Sequence, residues 1–93
     1  MILVKFHEKV VAVCDSELVG KTFEEDGKCL EVNEQFYKGE EKSDDEVKDI
    51  LKDADNVNIV GEKSVKLAIE IGVVSEDGVI RVKGIPHALV FAI

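Results

Sequence analysis

Residues 43–72 read SDDEVKDILKDADNVNIVGEKSVKLAIEIG and contain the clearest signals of secondary structure in the chain. This stretch begins with Ser43, and Glu46 follows at the spacing of a capping box, in which the two side chains cap the start of a helix reciprocally. Apolar residues then recur at i, i+3, i+4 and i+7, which places them on one helix face. They are Val47, Ile50, Leu51 and Ala54. The stretch therefore opens with an amphipathic helix that packs on a core.

A strand and a second helix follow in the same stretch. Residues 57–60 form a short apolar run typical of a buried strand, and Gly61 interrupts it. The second helix is predicted from Glu62 to Ile71, with Gly72 placed to end it in a left-handed conformation. This helix is apolar over more than half of its circumference. We therefore expect it to be covered on two sides, by the sheet and by either the first helix or a second subunit.

Strands are predicted before this central stretch. Residues 1–7 and 10–15 are two β-rich runs separated by charged residues, which indicates a hairpin. The second run is apolar on both faces, so it is expected inside the sheet. A further strand is predicted over residues 28–32, after an Asp-Gly turn. Residues 33–38 are expected to form a loop against the core.

Strands are also predicted after the two helices. Residues 79–83 alternate in polarity, residues 88–93 are apolar, and Gly84-Ile85-Pro86-His87 is expected to be a kinked connection between them. Strands at both ends and helices in the middle predict an α+β fold. The expected architecture is one domain over residues 1–93, a mixed β-sheet with two helices packed on one face.

The charge of the chain restricts its partners. Twelve basic and twenty acidic side chains give a formal net charge of −8, and Arg81 is the single arginine. A surface of this sign repels phosphates, so no direct nucleic-acid contact and no membrane association are expected. The apolar run at residues 1–4 is too short for a signal sequence or a membrane span. The predicted localisation is cytoplasmic.

The two cysteines are expected to be small core residues. Cys14 and Cys29 lie in predicted strands and lack the close ligand pairs of zinc sites, so no metal and no cofactor are expected. Two alternatives stay open: a four-ligand site formed with His7 and His87, and a reactive Cys14 whose pKa is lowered by a following helical turn. Asp15 or Ser16 is expected to cap that turn.

Two segments carry the candidate binding residues. In the first, a strand passes through Gly61 into a helix start, flanked by Asn58, Glu62 and Lys63. Unpaired amides at a helix start favour an anion, and glycine lets a ligand approach closely. The alternative is an ordinary strand-to-helix turn in which Glu62 satisfies those amides.

In the second segment, Gly84 and Pro86 precede His87. Proline fixes the backbone, so it could aim His87 reproducibly. Imidazole is the commonest general acid–base group, which makes His87 the catalytic candidate. The alternative is a structural histidine, since no nucleophile or carboxylate stands in register with it.

The sequence resembles a family at several places spread in order along the chain. These are the opening Met-Ile-Leu-Val-Lys, then Val-Ala-Val-Cys-Asp with Glu-Leu-Val-Gly-Lys-x-Phe, Tyr37-x-Gly39, Asn58-x-Val60-Gly61-Glu62 and the Gly-Ile-Pro-His-Ala near the end. The family that they resemble is the archaeal domain of unknown function 424. The resemblance implies a compact cytoplasmic domain and supplies no activity, cofactor or catalytic residue.

The leading hypothesis is a non-catalytic module that binds another protein, with the translation or RNA-handling machinery as the class of partner. It rests on the acidic first helix, the apolar second helix and the lack of a catalytic constellation. One alternative is a small-molecule or anion binder, or an enzyme, that uses the Gly61 turn with His87 and requires Asn58, Lys63 and His87 to meet in one pocket. The other is a homodimer through the Glu62–Ile71 helix.

Overall fold

The computed structural model describes residues 1–91 of the chain. Its strands are β1 (Ile2–Phe6), β2 (Val11–Asp15), β3 (Thr22–Glu25), β4 (Lys28–Glu31), β5 (Glu40–Lys42), β6 (Asn56–Val60), β7 (Ile80–Val82) and β8 (Ile85–Phe91). Its α-helices are α1 (Glu34–Tyr37), α2 (Asp44–Asp53) and α3 (Glu62–Glu70), and 3-10 turns span Ser16–Leu18 and Glu76–Gly78. Ala92 and Ile93, the end of the predicted last strand, lie outside the described residues.

The strands form a mixed sheet in the order β5-β1-β2-β6-β8-β7 and a separate hairpin, β3-β4. In the larger sheet only β2 and β6 run parallel to each other within the described chain. The strand β2 lies inside the sheet, as its two apolar faces predict, and β1 and β2 form the predicted hairpin. A mixed sheet with two long helices confirms the predicted α+β fold.

The predicted helix start at Ser43 is confirmed. Its Oγ accepts a hydrogen bond from Glu46 N at 3.2 Å, and its own N–H donates to Glu46 Oε1 at 3.0 Å. These hydrogen bonds hold the pKa of the exposed Glu46 carboxyl below its usual value. The apolar face that follows is buried at Val47 and Leu51.

Each face of the sheet carries its own core. On one face α2 and α3 pack over side chains from β1, β2 and β6, with Val13, Ile59 and Val65 among the buried residues. On the other face α1, the first 3-10 turn and the β3-β4 hairpin cover a second cluster around Cys14 and Val60. This second cover extends over only part of the face and leaves Ile80, Leu89 and Phe91 exposed.

The apolar side chains around α3 pack against other parts of the same chain. Val65 and Ala68 are buried, while Ile69 and Ile71 pack against the same core. The helix lies on the sheet and also contacts α2, so the first helix supplies the second cover. Within residues 1–91 no helix has the length and apolar composition needed to cross a bilayer.

The prediction of a loop at residues 33–38 is wrong, and the strands β3 and β5 were not predicted. The expected loop at residues 33–38 contains α1, which Asn33 caps by accepting hydrogen bonds from Gln35 N and Phe36 N. The strand β3 pairs with β4 in a surface hairpin, and β5 pairs with β1 at the edge of the larger sheet. Charged side chains remain solvated at both places, so the alternation of polar and apolar residues that indicates a strand is absent.

The Gly84-Ile85-Pro86-His87 segment is not a kinked connection. The strand β8 already begins at Ile85, and a tight turn with positive φ at Lys83 (53°) and Gly84 (78°) joins it to β7. Pro86 lies opposite Gly61, just beyond the end of β6, and its carbonyl accepts from Gly61 N at 2.9 Å. The Gly61 carbonyl, which an N–H at position 86 would face, already accepts from Val65 N at 2.9 Å. The missing N–H of Pro86 therefore removes no ladder hydrogen bond.

Candidate functional site

The start of α3 is already occupied by a carboxylate of the chain itself. Asp15, at the end of β2, accepts hydrogen bonds from Lys63 N at 3.0 Å, Ser64 N at 2.9 Å and Ser64 Oγ at 2.7 Å. Asp15 is only 3% exposed and Ser64 is fully buried. The parallel pairing of β2 with β6 brings the carboxyl ends of both strands to one edge, which places Asp15 beside the helix start.

Gly61 provides the space for this carboxylate. Its φ of 112° lies in a region that side chains rarely adopt, and a Cβ added there would lie 2.3 Å from Asp15 Cγ. Glu62 does not fill the helix start, since its carboxylate accepts a hydrogen bond from Arg81 Nη1 at 3.3 Å on the surface. The amides of Lys63 and Ser64 are therefore not available to an external anion, and the expected side-chain cap of the 3-10 turn by Asp15 or Ser16 is absent from the described residues.

Lys63 lies away from His87. Its side chain lines a groove of about 500 Å³ that is formed with Met1, Ile2, residues 41–44, Lys66, Leu67 and Glu70. That groove contains neither Asn58 nor His87. The pocket that the small-molecule hypothesis requires from Asn58, Lys63 and His87 therefore does not form around Lys63.

Asn58 and His87 do meet, on the opposite face of the sheet. Asn58 Oδ1 lies 2.7 Å from His87 Nε2 and accepts a hydrogen bond of 2.7 Å from the Tyr37 hydroxyl. An amide oxygen carries no hydrogen, so the His87 ring must donate through Nε2. The backbone carbonyl of Tyr37 in turn accepts a weak hydrogen bond from Cys14 Sγ at 3.9 Å.

The second ring nitrogen of His87 faces solvent. Among residues 1–91 no group hydrogen-bonds to Nδ1, and no buried side-chain nitrogen or oxygen of these residues lacks a partner. Nδ1 is therefore a solvent-accessible acceptor on a ring whose orientation Asn58 fixes. Burial of the ring lowers the pKa of His87 below 6.5, which keeps it neutral at pH 7.

Strand register defines the surface around His87. His87 pairs with Val60 on β6 and Ile80 on β7, and residues at alternate positions of a strand share one face. The side chains of this surface, here termed the open face, are Asn56, Asn58, Ile80, His87, Leu89 and Phe91. With His87 neutral, none of the six carries a charge.

The open face exposes large apolar side chains. Ile80 is 54% exposed, Leu89 47% and Phe91 70%. Single exposed apolar residues are ordinary, but three on neighbouring strands form a patch. Such an uncharged patch is unusual on a chain in which 34% of the residues are charged.

The remaining candidates surround this surface without joining it. Gly84 lies in the β7-β8 turn, and Pro86 lines a groove on the helix side with Val65 and Ile69. The sequence did not indicate Tyr37 as part of the site, and it predicted residues 88–93 as an apolar strand without showing that Leu89 and Phe91 are exposed. The alternation of β8 was the available signal, because its odd-numbered residues share the face of His87.

The two cysteines differ from each other. Cys14 is buried, as predicted for a core residue, and burial first, then the charges of Asp15 and Glu17, raise its pKa to about 12, so the alternative of a reactive Cys14 with a lowered pKa is wrong. Cys29 is exposed on β4 rather than part of the core. Within residues 1–91 no three metal-binding side chains come together, and His7 stacks on Phe36.

We expect a thiol-alkylating reagent at pH 8 to modify one cysteine of the folded protein. Cys29 is exposed, whereas Cys14 is both buried and protonated at that pH. Mass spectrometry should find one adduct in buffer and two in denaturant, and Cys29→Ser should reduce the native count to zero. Equal alkylation rates for Cys14 in the two states would contradict the burial.

We expect His87 to make stability fall as the pH drops below 6.5. Burial lowers the pKa of His87 in the fold, so the unfolded chain takes up the proton first. Its contribution is complete above pH 6.5 and is lost progressively between 6.5 and the lower folded pKa. Urea unfolding of the wild type and His87→Gln should show a difference that changes in this window. An NMR titration that puts the folded pKa above 6.5 would reverse the sign.

Comparisons with known proteins agree with the fold. The family described as "Protein of unknown function (DUF424)" matches residues 5–93, which confirms the resemblance seen in the sequence motifs. The crystal structure of an uncharacterized conserved protein from Methanopyrus kandleri is similar, with a TM-score of 0.75 and 25% sequence identity. The alignment covers 95% of this chain and 88% of that chain. No curated protein matches.

Proposed function

This chain belongs to the DUF424 family of proteins of unknown function, and we propose that it is a protein-binding module that docks a partner through the open face. The observation that carries the proposal is the exposure of Ile80, Leu89 and Phe91 around the neutral His87. Cores of protein interfaces are poor in charge and rich in aromatic and apolar side chains. The open face has this composition.

The state of the nearby nucleophiles supports binding rather than catalysis. Burial raises the pKa of the Tyr37 hydroxyl, with a further rise from Cys14. Burial raises that of the Cys14 thiol to about 12. Neither group ionises at neutral pH. His87 therefore has an orienting partner in Asn58 and no activated nucleophile in the hydrogen-bonded network.

The geometry also favours a specific binding surface. The hydrogen bonds from Tyr37 and His87 to Asn58 fix three side chains at the base of the open face. A surface whose polar groups are already oriented loses less conformational entropy on binding. The exposed side chains then supply apolar area, and His87 Nδ1 supplies a directional acceptor.

Affinity capture tests the proposal. The immobilised chain and a Leu89→Ser/Phe91→Ser variant are each exposed to a lysate of the organism that encodes the chain, and the retained proteins are identified by mass spectrometry. We expect the wild type to retain a stoichiometric partner that the variant loses. The matched control is Phe6→Ser, because Phe6 is 62% exposed but lies on the helix side of the sheet.

Two results would count against the proposal. One is retention of the same partner by the wild type and the Leu89→Ser/Phe91→Ser variant. The other is recovery of the chain alone, which would favour the homodimer alternative, and sedimentation velocity would then give its stoichiometry. The identities of the captured proteins also test the narrower expectation of a partner from the translation or RNA-handling machinery.

A further inference from the structure

The edge of β8 is incompletely paired. The strand β8 runs from Ile85 to Phe91, but β7 pairs only with its first part, from Ile85 to His87. The 3-10 turn at Glu76–Gly78 immediately precedes β7, so the chain is not extended at the positions that would pair with β8 beyond His87. Beyond His87, β8 therefore has β6 on one side and no strand of residues 1–91 on the other.

The direction of the backbone groups follows from Pro86. Its carbonyl accepts from Gly61 N, so it points toward β6. Alternate residues of a strand point their N–H and C=O groups to alternate sides. Leu89 and Phe91 therefore point theirs away from β6, past the end of β7. Across residues 1–91 no backbone hydrogen bond to these groups is present on that side.

We infer that the partner adds a β-strand to this edge, continuing the line of β7 beside Leu89 and Phe91. This inference rests on the proposed function and names the form of the partner segment. The same two residues offer exposed side chains to the open face and unpaired backbone groups to the edge. An extended segment satisfies both, through ladder hydrogen bonds and through side chains at alternate positions.

The chemistry of the segment follows from its two neighbours. Side chains on its open-face side meet Leu89 and Phe91, so we expect apolar or β-branched residues at those positions. The open face has no charge to pair with a lysine or glutamate there. Proline is excluded where the segment donates its N–H groups to β8. A helix would leave the backbone groups of Leu89 and Phe91 without partners, which is unfavourable once water is excluded.

Native-state hydrogen exchange tests the edge in the unbound protein. We expect the amides of Ala88 and Val90, which point toward β6, to exchange slowly, and those of Leu89 and Phe91 to exchange rapidly. Slow exchange at all four positions in dilute protein would mean that the edge is already paired, and the inference would be overturned.

A synthetic peptide then probes strand addition. We would titrate acetyl-Thr-Val-Thr-Val-amide into the isotope-labelled protein, with the analogue N-methylated at both valines as the matched control. At ten times its Kd the peptide should slow exchange at Leu89 and Phe91 by about tenfold. Cross-strand contacts between peptide and β8 α-protons should appear. The N-methylated analogue, which lacks ladder donors, should do neither.

The outcomes separate this inference from the proposed function. Equal effects of the peptide and its N-methylated analogue, or no effect of either on these amides, would overturn strand addition. The capture experiment could still support docking by side chains alone. Protection that instead rises with protein concentration would identify a second copy as the occupant and overturn the inference of a separate partner.

Discussion

Replacing Gly61 with alanine is expected to lower the free energy of unfolding by about 4 kcal/mol, from backbone strain and from overpacking together. The φ of 112° and ψ of 154° at this position suit glycine alone. The added Cβ would also lie within 2.7 Å of three atoms of the Asp15 carboxyl group. That group is held by three hydrogen bonds, so it cannot move aside without losing them.

Chemical denaturation measured by circular dichroism checks this expectation. The matched control is Gly72→Ala, because Gly72 also has a positive φ, 78°, but nothing lies within 4 Å of its added Cβ. It should cost only about 1 kcal/mol, the cost of a left-handed conformation for a side-chain-bearing residue. Equal losses for the two variants would mean that the steric contact with Asp15 has no energetic role.

The helical part of the fold could be predicted from periodicity and caps. Ser43 and Glu46 mark the start of α2 chemically, and the apolar spacing then identifies its buried face. Gly72 has the left-handed conformation that ends α3. These features depend on neighbours within a few residues, so a sequence reveals them. The same holds for β2, whose apolar residues occur on both faces.

The missed elements lack such local signals. The strands β3 and β5 are rich in exposed glutamates, and only their pairing partners make them strands. Pro86 suggested an interruption of the last strand. The pairing of β6 with β8 ends at His87, however, so no ladder hydrogen bond from the nitrogen of Pro86 is needed. For β5 and for Pro86 the deciding contact comes from a segment distant in sequence, whereas β3 pairs with its neighbour β4 and lacks only the apolar alternation of a buried strand.

The candidate site was predictable only in part for the same reason. Asn58 and His87 were identified as candidates, but their partner Tyr37 comes from a helix that the sequence did not indicate. Asp15 was assigned to the turn that follows it because capping is usually a local interaction. Its actual partners lie 48 and 49 residues away and are reached only through the parallel β2-β6 pair.

Asp15→Ala is expected to lower the free energy of unfolding by about 3 kcal/mol, because it removes a helix cap and leaves buried donors unsatisfied. The donors are Lys63 N, Ser64 N and Ser64 Oγ, and Ser64 is fully buried. Urea unfolding provides the measurement. Ser43→Ala is the matched control, since it removes an exposed cap and should cost about 1 kcal/mol. Similar losses for the two would indicate that burial adds nothing to the Asp15 cap.

The two substitutions should not be additive. Asp15→Ala removes the carboxyl atoms that a Cβ at Gly61 would contact, so Gly61→Ala made in that background should lose its steric cost and keep only the backbone strain. In a double-mutant cycle we expect the combined variant to be less destabilised than the sum of the single variants by about 2 kcal/mol. Additive losses would show that Gly61 is required for its backbone conformation alone. A combined loss smaller than the sum would instead show that glycine is required at the start of α3 because a side chain there would contact the Asp15 carboxylate.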